Sequence, residues 1–365
     1  MKIIQLVNSR RLRGAEIFAG QLSTELTNLG AEVYYVALYQ DDGPLVAPEN
    51  GKVIDLKGKR SRLINIVLIF RLCRLVLNFQ PDVVQANAGD TLKYAVITRL
   101  FTRSRFKLVF RNASLISRYL RTRVGTWTTK FLLQQADAII SVSDASRRDT
   151  IGLFPALSGR TTVIPIGITF IPCKRSEALS GPGPHLVHVG GFSFEKNHAG
   201  LLRIFTHVKK EIPTAKLWLA GDGPLRHQTE VQARQLGIEA SVTFLGSVSD
   251  PIDVIHAADV LLLPSIIEGV PAVLLEAFWC GTPVVAGSVG GIPEVVFHGE
   301  TGWLVDPQDE PAFADRVLTV LRDREGQATI IEAARRRVIA NHANEVIAKR
   351  FLAVYHQLTD QPEQK

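Results

Sequence analysis

The sequence predicts an α/β protein made of two doubly wound parallel-sheet domains that face a central cleft. Short apolar runs alternate with longer segments of helical periodicity, a pattern typical of parallel strands covered by helices on both faces. The alternation stops in a short segment rich in Pro, Gly and Ser and then begins again. With 365 residues, the chain is long enough for two domains of roughly 150–200 residues each.

The Pro- and Gly-rich segment sets the predicted domain boundaries. Residues 173–184 are interpreted as a linker, because they lack periodicity and concentrate turn-forming residues. The first domain then spans residues 1–172 and the second residues 185–344. A C-terminal helix at about residues 345–358 could pack back on the first domain.

Each domain is predicted to contain six buried strands, all of them short apolar runs. Those of the first domain are Lys2–Val7, Glu32–Leu38, Asp82–Gln85, Lys107–Phe110, Ala138–Val142 and Thr162–Ile164. Those of the second are His185–Val189, Lys216–Ala220, Val242–Leu245, Val260–Leu263, Pro283–Ala286 and Trp303–Val305. Ligands of such sheets bind beyond the carboxyl ends of the strands, so we expect the functional residues there.

The first long helical pattern, Ala15–Leu29, follows the first strand and opens with Arg13-Gly14-Ala15-Glu16. Its free amides are expected to face the cleft, although helix capping alone would also explain Glu16. The second pattern, Arg62–Phe79, is strongly apolar and is flanked by basic residues.

Charge is distributed unevenly between the two halves. Residues 1–175 contain 26 Lys and Arg against 12 Asp and Glu, whereas the remainder contains 16 against 23. Basic residues cluster at Lys57, Lys59, Arg60, Arg62, Arg71 and Arg74, at Arg99, Arg103, Arg105 and Lys107, and at Arg118, Arg121 and Arg123. Such clusters suit anionic lipid headgroups, or they solvate the outer faces of helices. No nucleic-acid motif or aromatic series accompanies them, so a nucleic-acid partner is not expected.

Two loops of the second half carry candidate binding residues. Strand His185–Val189 leads into Gly190 and Gly191, and Lys196 follows. Glycines let the backbone approach a phosphate and lysine supplies a cation. The alternative is an ordinary strand-to-helix turn with a solvated lysine.

The second loop carries Glu268, Gly269 and Val270, with Pro271 expected in the first turn of the next helix. Free amides at that helix start could hold a diphosphate. Glu268 could accept hydrogen bonds from sugar hydroxyls, and Glu276 from a ribose.

Taken together, the motifs resemble those of the retaining glycosyltransferases of the GT-B fold, with its two Rossmann-like domains, and specifically of family 4 (group 1). The matching segments are Gly14–Glu16, Pro81–Val84, Val189–Phe192, Glu195–Asn197, Ala220–Pro224, Phe244–Gly246, Leu263–Ser265, Glu268–Gly269, Leu275–Ala277, Gly281–Ala286, Gly290–Glu294 and Gly299–Val305. They are densest between about residues 185 and 310.

The resemblance implies a catalytic pair, Lys196 and Glu268, and a set of donor-binding residues. Lys196 would bind the diphosphate, Glu276 the ribose, and Glu268 with the backbone of Gly269 and Val270 the sugar. The other implied donor contacts are Gly14, Glu16, Gly190 and Gly191. Two departures are evident, because Gly191 stands where relatives often carry arginine, and the first domain lacks the usual histidine.

The missing histidine favours retention of configuration. All nine histidines lie at or beyond His185, which leaves Asp90 and Glu16 as poorly placed first-domain bases. An inverting transfer needs a positioned base, whereas a same-face transfer can use the departing phosphate oxygen. We expect no metal, because Lys196 and helix amides can stabilise the leaving group.

The sequence thus predicts a hexosyltransferase that builds cell-surface polysaccharide, lipopolysaccharide or glycolipid. The expected partners are a nucleotide-sugar donor and a glycan, glycolipid or lipid-linked acceptor. A soluble transferase acting on a small phosphorylated acceptor and a catalytically silent nucleotide-sugar-binding protein are the alternatives.

Localisation follows from the short N-terminal apolar run and the three scattered cysteines. They predict a reduced, cytoplasmic protein, and the basic half adds peripheral contact with the inner membrane as an open alternative.

Overall fold

The computed structural model describes residues 1–41, 45–59, 64–174, 179–248 and 251–360. The chain forms two compact units. The first consists of Met1–Thr169 together with the C-terminal segment that begins at Asn344, and the second of Phe170–Ala343.

The first unit contains a seven-stranded sheet in the order β3-β2-β1-β4-β5-β6-β7. Every strand pair in it is parallel. The strands are β1 (Lys2–Val7), β2 (Glu32–Tyr39), β3 (Lys52–Gly58), β4 (Val83–Ala86), β5 (Lys107–Asn112), β6 (Ala138–Ser141) and β7 (Thr161–Val163). Strand β1 lies between β2 and β4, so the strand order reverses there, and open α/β sheets bind their ligands beyond the carboxyl ends at such a reversal.

Helices of the first unit cover the sheet and enclose its core. They are α1 (Gly14–Asn28), α2 (Ile66–Phe79), α3 (Gly89–Thr102), α4 (Arg123–Gln134), α5 (Asp144–Leu153) and α12 (Asn344–Asp360). Helices α2, α3 and α4 pack in a row and share one apolar core with the strands. Helix α12 returns from the end of the chain and packs against α1.

The second unit contains a six-stranded sheet, also wholly parallel, in the order β10-β9-β8-β11-β12-β13. Its strands are β8 (His185–Val189), β9 (Lys216–Ala220), β10 (Val242–Gly246), β11 (Val260–Leu263), β12 (Val284–Gly287) and β13 (Trp303–Val305). Its helices are α6 (His198–Glu211), α7 (Arg226–Gln235), α8 (Pro251–His256), α9 (Ala272–Cys280), α10 (Glu310–Arg322) and α11 (Arg324–Asn341). The reversal falls at β8, between β9 and β11.

The predicted fold class is confirmed, since each unit is a parallel α/β sheet, and the twelve predicted strands are all present. Strand β3 was not predicted. It lies at the sheet edge, where only β2 pairs with it, and burial alternates along it, so it lacks a continuous apolar run.

Two predicted features fall partly outside the described residues. Arg60 and Arg62 of the first basic cluster lie there, as do residues 175–178 of the predicted linker. Helix α2 begins at Ile66, because the Asn65 side chain accepts a hydrogen bond from the Leu68 amide at 3.1 Å and caps the helix.

Candidate functional site

The loops that follow β8 and β9 contact each other through their backbones. The Gly190 amide donates to the Ala220 carbonyl at 2.9 Å. Gly221 has a φ of +138°, and a Cβ there would collide with the Gly190 carbonyl oxygen. No side chain fits between the loops here, the Gly190 amide is already bonded to Ala220, and the exposed Gly191 lies next to it at the carboxyl end of β8.

The predicted catalytic residues Lys196 and Glu268 meet at the carboxyl end of this sheet, which we call its carboxyl edge. Lys196 Nζ lies 2.5 Å from Glu268 Oε1, and their side chains are 20% and 11% exposed. They are 72 residues apart in sequence, and the fold brings them together from the loops after β8 and β11. A largely buried ion pair at the carboxyl end of a sheet is a candidate ligand site, because either charge can exchange its partner for a ligand.

Backbone and amide contacts fix the two loops that carry this pair. Asn197 adopts a left-handed φ of 54°, donates from Nδ2 to the Pro264 carbonyl at 3.1 Å and caps α6 by accepting from the Gly200 amide. The Ile266 amide donates to the Glu195 carbonyl at 2.9 Å. The Lys196–Glu268 geometry is therefore set by the backbone rather than by two free side chains.

The Glu268 loop also packs against the loop after β12. The Gly291 amide donates to the Gly269 carbonyl at 2.9 Å. Gly290 has a φ of +55°, and a Cβ there would collide with the Glu268 carbonyl oxygen. Gly269 and Val270 are buried beside this contact, so their peptide groups are held in one conformation.

Helix α9 begins at Ala272 with Pro271 as its N-cap, one position before the first turn in which Pro271 was expected. No side chain caps the helix, so its first amides are not satisfied by a capping group. Glu276 lies four residues into α9, half-buried between the buried Leu275 and Ala277. Its predicted role in binding ribose stays a prediction.

Two buried histidines lie behind the Lys196 loop, and sequence reasoning missed both. His188 in β8 places Nδ1 2.9 Å from the Leu262 carbonyl oxygen. His198, the first residue of α6, stacks on Phe192 with ring centroids 4.0 Å apart and meets His188 edge-on at 4.7 Å. The signal that could have found them is a histidine inside the apolar strand His185–Val189.

Both histidines are held neutral. Burial lowers the pKa of His188 to about 4, and the positive charge of Lys196 adds to that effect. Burial, followed by the neighbouring His188, lowers the pKa of His198 to about 2. Within the described part of the chain, Nε2 of His188 and both ring nitrogens of His198 are buried without a hydrogen-bond partner.

In the first unit, Gly14 and Glu16 lie in the first turn of α1. Gly14 is exposed and the N-cap residue Arg13 provides no side-chain hydrogen bond, so the helix start is open. Glu16 is buried and interacts electrostatically with Arg111 at the end of β5. The predicted contacts of Gly14 and Glu16 with the donor stay predictions.

Arg111 is an unusual group for a protein interior. Its side chain is 3% exposed and its guanidinium lies 4.2 Å from the centre of the Phe18 ring. Burial lowers its pKa to about 10, although the negative charge of Glu16 opposes the shift. In the described structure, Nε and Nη1 of Arg111 have no hydrogen-bond partner.

Next to Arg111, four polar side chains form a closed network beneath the sheet edge. Gln85 donates to the side-chain oxygens of Gln5 and Asn87, each at 3.0 Å. The Tyr355 hydroxyl of α12 donates to Gln85 Oε1 at 2.6 Å and accepts from Gln5 at 3.2 Å. Neighbouring Asp90, one of the two carboxylates considered as a base, pairs with Lys93 at 3.0 Å.

Two family models match the chain, one for each half. The model described as Glycosyltransferase Family 4 matches residues 12–170, and the model described as Glycosyl transferases group 1 matches residues 173–337. Together they match most of both units, up to residue 337, and leave out helix α12.

Among curated proteins, the chain is similar to the N-acetyl-alpha-D-glucosaminyl L-malate synthase of Bacillus anthracis. The two are 30% identical over 236 residues, which is 63% of this chain and 62% of that protein. The chain therefore aligns with about three fifths of the length of this relative.

Two solved structures share the fold. Sucrose-phosphate synthase from Thermosynechococcus elongatus superposes with a TM-score of 0.85 at 23% identity, covering 99% of each chain. The Anabaena protein HepE, crystallised with UDP and glucose, gives 0.83 at 23% identity over 97% of this chain and 99% of its own. These likenesses show the fold, and the two family models, which together match most of the chain, show that it belongs to the group 1 glycosyltransferases of family 4.

Proposed function

We propose that the chain transfers a sugar from a nucleotide-sugar donor to a glycan or lipid-linked acceptor with retention of anomeric configuration. The observation that carries the proposal is the Lys196–Glu268 ion pair, 2.5 Å long and largely buried where two strands end. In the proposal, the donor separates the pair. Its diphosphate replaces Glu268 as the partner of Lys196, and Glu268 turns to the sugar hydroxyls.

The neighbouring groups support this division of roles. The backbone of the exposed Gly191 and the uncapped start of α9 are proposed to donate to phosphate oxygens. Glu276 on α9 is proposed to bind the ribose. Because HepE was crystallised with UDP and glucose, UDP-sugars are the first donors to test.

Retention is proposed because neither of the two first-unit carboxylates considered as a base is well placed in the described structure. Glu16 is buried beside Arg111, and Asp90 is paired with Lys93. In a same-face transfer, the departing phosphate oxygen takes the acceptor proton while Lys196 stabilises its charge. The proposed reaction uses no metal, so excess EDTA should leave the rate unchanged. An NMR assignment of the product anomer tests retention, since a product of opposite configuration to the donor contradicts it.

The donor site is tested by thermal stabilisation with UDP-, GDP-, ADP- and dTDP-sugars. We expect one nucleotide family to raise the melting temperature of the wild type and to lose this effect in Glu276→Ala. Glu268→Gln separates the roles further. It should respond at least as strongly as the wild type to the nucleoside diphosphate alone, because the carboxylate that competes for Lys196 is gone. It should respond weakly to the nucleotide sugar, because the sugar contact is lost.

Arg203→Gln is the matched control for these variants. It breaks an ion pair that joins α6 to Glu310 of α10, but this pair is more exposed and is expected to contribute little. If no nucleotide sugar stabilises the wild type, or if Glu268→Gln weakens both ligands equally, the proposed donor contacts are wrong.

The acceptor side of the proposal rests on the outer surface of α2, α3 and α4. Nine large apolar side chains there are exposed, among them Ile66 (78%), Phe101 (75%) and Val124 (72%). The others are Val67, Phe70, Leu77, Leu100, Trp127 and Phe131. We call these nine residues the apolar face. Trp127 and Phe131 stack with ring centroids 6.2 Å apart, which presents two aromatic rings as one unit.

The charge around the apolar face selects an anionic membrane surface as its occupant. Between Asp90 and Asp137 the sequence contains ten Lys and Arg and no acidic residue. Arg103, Arg118, Arg121, Arg123 and Lys130 from this stretch are all exposed. Exposed aromatic and aliphatic side chains beside basic ones fit the boundary between lipid headgroups and acyl chains. None of the helices in the described ranges combines the length and apolar character that crossing a membrane requires.

Co-sedimentation with vesicles tests this surface. The wild type should sediment with phosphatidylglycerol vesicles but not with phosphatidylcholine vesicles. The double variant Trp127→Ser/Phe131→Ser should bind phosphatidylglycerol vesicles about tenfold more weakly than the wild type. Ile339→Ser, which changes an exposed apolar residue of α11, is the control and should bind like the wild type. Equal sedimentation of all variants, or none with either lipid, contradicts the membrane surface and favours a small phosphorylated acceptor.

A further inference from the structure

Two of the three cysteines, 107 residues apart in sequence, lie against each other in the second unit. Cys173 Sγ is 3.0 Å from Cys280 Sγ. Neither is in a disulfide, and a disulfide has a sulfur–sulfur distance of about 2.05 Å, so a movement of about 1 Å would suffice to join them. Cys173 is half-buried, whereas Cys280 is buried.

Surrounding contacts hold the two cysteines in this position. Cys173 belongs to the segment through which the chain enters the second unit, and Cys280 is the last residue of α9. Next to Cys280, the Trp279 indole donates to the Ile171 carbonyl at 2.7 Å, and its ring packs at a tilt against Phe170 with centroids 4.7 Å apart. Next to Cys173, the Lys174 amide donates to Asp253 Oδ1 at 2.8 Å. The entry segment is therefore fastened to α9 and α8 on both sides of the thiol pair.

We propose that Cys173 and Cys280 are a redox modification site. A low-molecular-weight disulfide such as oxidised glutathione oxidises them, and the product is a reversible disulfide between the two cysteines. The more accessible Cys173 thiolate attacks one sulfur of glutathione disulfide and releases one glutathione thiolate. The Cys280 thiolate then attacks the Cys173 sulfur of the mixed disulfide, forms the Sγ–Sγ bond and expels the second glutathione. The two cysteine protons pass to the two glutathione thiolates, so the protein is oxidised and glutathione disulfide reduced by two electrons.

The bond changes the entry segment from a segment held by non-covalent contacts into one covalently tied to α9. It closes a long loop that contains strands β8, β9, β10 and β11, and closure of a long loop restricts the unfolded chain. The melting temperature of the second unit should therefore rise by about 5 °C or more. The proposal does not depend on sugar transfer, because its readouts are covalent mass and unfolding.

The experiment places the full-length protein in buffers of decreasing ratio of reduced to oxidised glutathione. After denaturation, free thiols are alkylated and counted by intact mass spectrometry. We expect three labelled cysteines under reducing conditions and one under oxidising conditions. Peptide mapping should identify a Cys173–Cys280 cross-link, and reduction should restore all three labels and the original melting temperature.

Cys73 on α2 is the internal control, because burial raises the pKa of its thiol and it lies in the first unit. Cys73→Ser should keep the cross-link and the rise in melting temperature, and Cys173→Ser should lose both. Cys173→Ser is used rather than Cys280→Ser, because Cys173 is half-buried whereas a change at the buried Cys280 would also disturb packing. Three labels at every ratio, or glutathione retained on Cys173 without a cross-link, would overturn the proposal.

Discussion

The two units use their carboxyl edges in opposite ways. In the first, Gln5, Gln85 and Tyr355 bond to one another beneath the sheet edge, and Arg111 lies buried beside them. In the second, the Lys196–Glu268 pair retains some exposure and is held by loops that bond to each other through their backbones. One edge satisfies most of its polar groups internally, while the other keeps a cation available.

This difference separates stability from binding on closely similar parallel sheets. A polar network that is bonded internally rigidifies the unit but leaves little capacity for a ligand. A largely buried ion pair lowers the stability of the unit because both charges lose water, but either charge can then bind a ligand in place of its partner. We therefore expect variants at the second edge to change catalysis first, and variants at the first edge to change unfolding first.

The largest expected effect is at Lys196. Lys196→Met should lower kcat/KM at least about 100-fold, because the leaving diphosphate loses its cation. Arg203→Gln on α6 should stay within about twofold, since its ion pair is more exposed. Steady-state kinetics with the donor identified by thermal stabilisation measures both. Similar rates for the two variants would remove the functional contrast between the edges.

The next effect is at Arg111. Arg111→Met keeps the contact with Phe18 but leaves Glu16 without its buried positive neighbour, which should cost about 3 kcal/mol of unfolding free energy. Hydrogen exchange followed by mass spectrometry should localise the loss of protection to the first unit. Donor-induced protection of β8 and α9 should be unchanged. Loss of protection confined to the second unit would contradict the assignment.

The smallest effect concerns pH and His198. Buried histidines with lowered pKa values stay neutral in the folded chain, whereas in the unfolded chain they take up protons below about pH 6.5. Stability should therefore fall as pH falls from about 6.5 toward 4. Between pH 7 and pH 5, the free energy of unfolding of His198→Phe should therefore fall by about 2 kcal/mol less than that of the wild type.

Denaturant titrations at the two pH values measure this difference. His207→Phe, an exposed change on the same helix, should keep the wild-type pH dependence. If His198→Phe loses as much stability as the wild type on acidification, the neutral histidine pair is not the source of acid sensitivity.

The sequence predicted the second edge better than the first. Lys196, Glu268 and their flanking glycines form local motifs, and the chain order of strands and helices brings them to one place. The network of the first edge depends on a contact between Gln5 and Tyr355, which are 350 residues apart. No local pattern encodes that contact, because α12 is an ordinary amphipathic helix in sequence.

Other misses have similarly physical causes. Strand β3 lies at an edge and is only partly buried, so its apolar pattern is weak. His188 and His198 look like isolated polar residues in sequence, and only packing places their rings against each other and Phe192. Arg111 was visible as part of a candidate loop, but its burial against Phe18 could not be inferred from its neighbours in sequence.

The glycines at 221 and 290 limit how the loops of the second unit can be redesigned. A methyl group at either position would strike the carbonyl oxygen of Gly190 or Glu268, so libraries that randomise these loops evenly would consist largely of misfolded members. A search for new sugar preference should leave both glycines fixed. It should vary instead the half-buried side chains of Ser193, Ile266 and Ile267, where shape can change while the loops keep their contact.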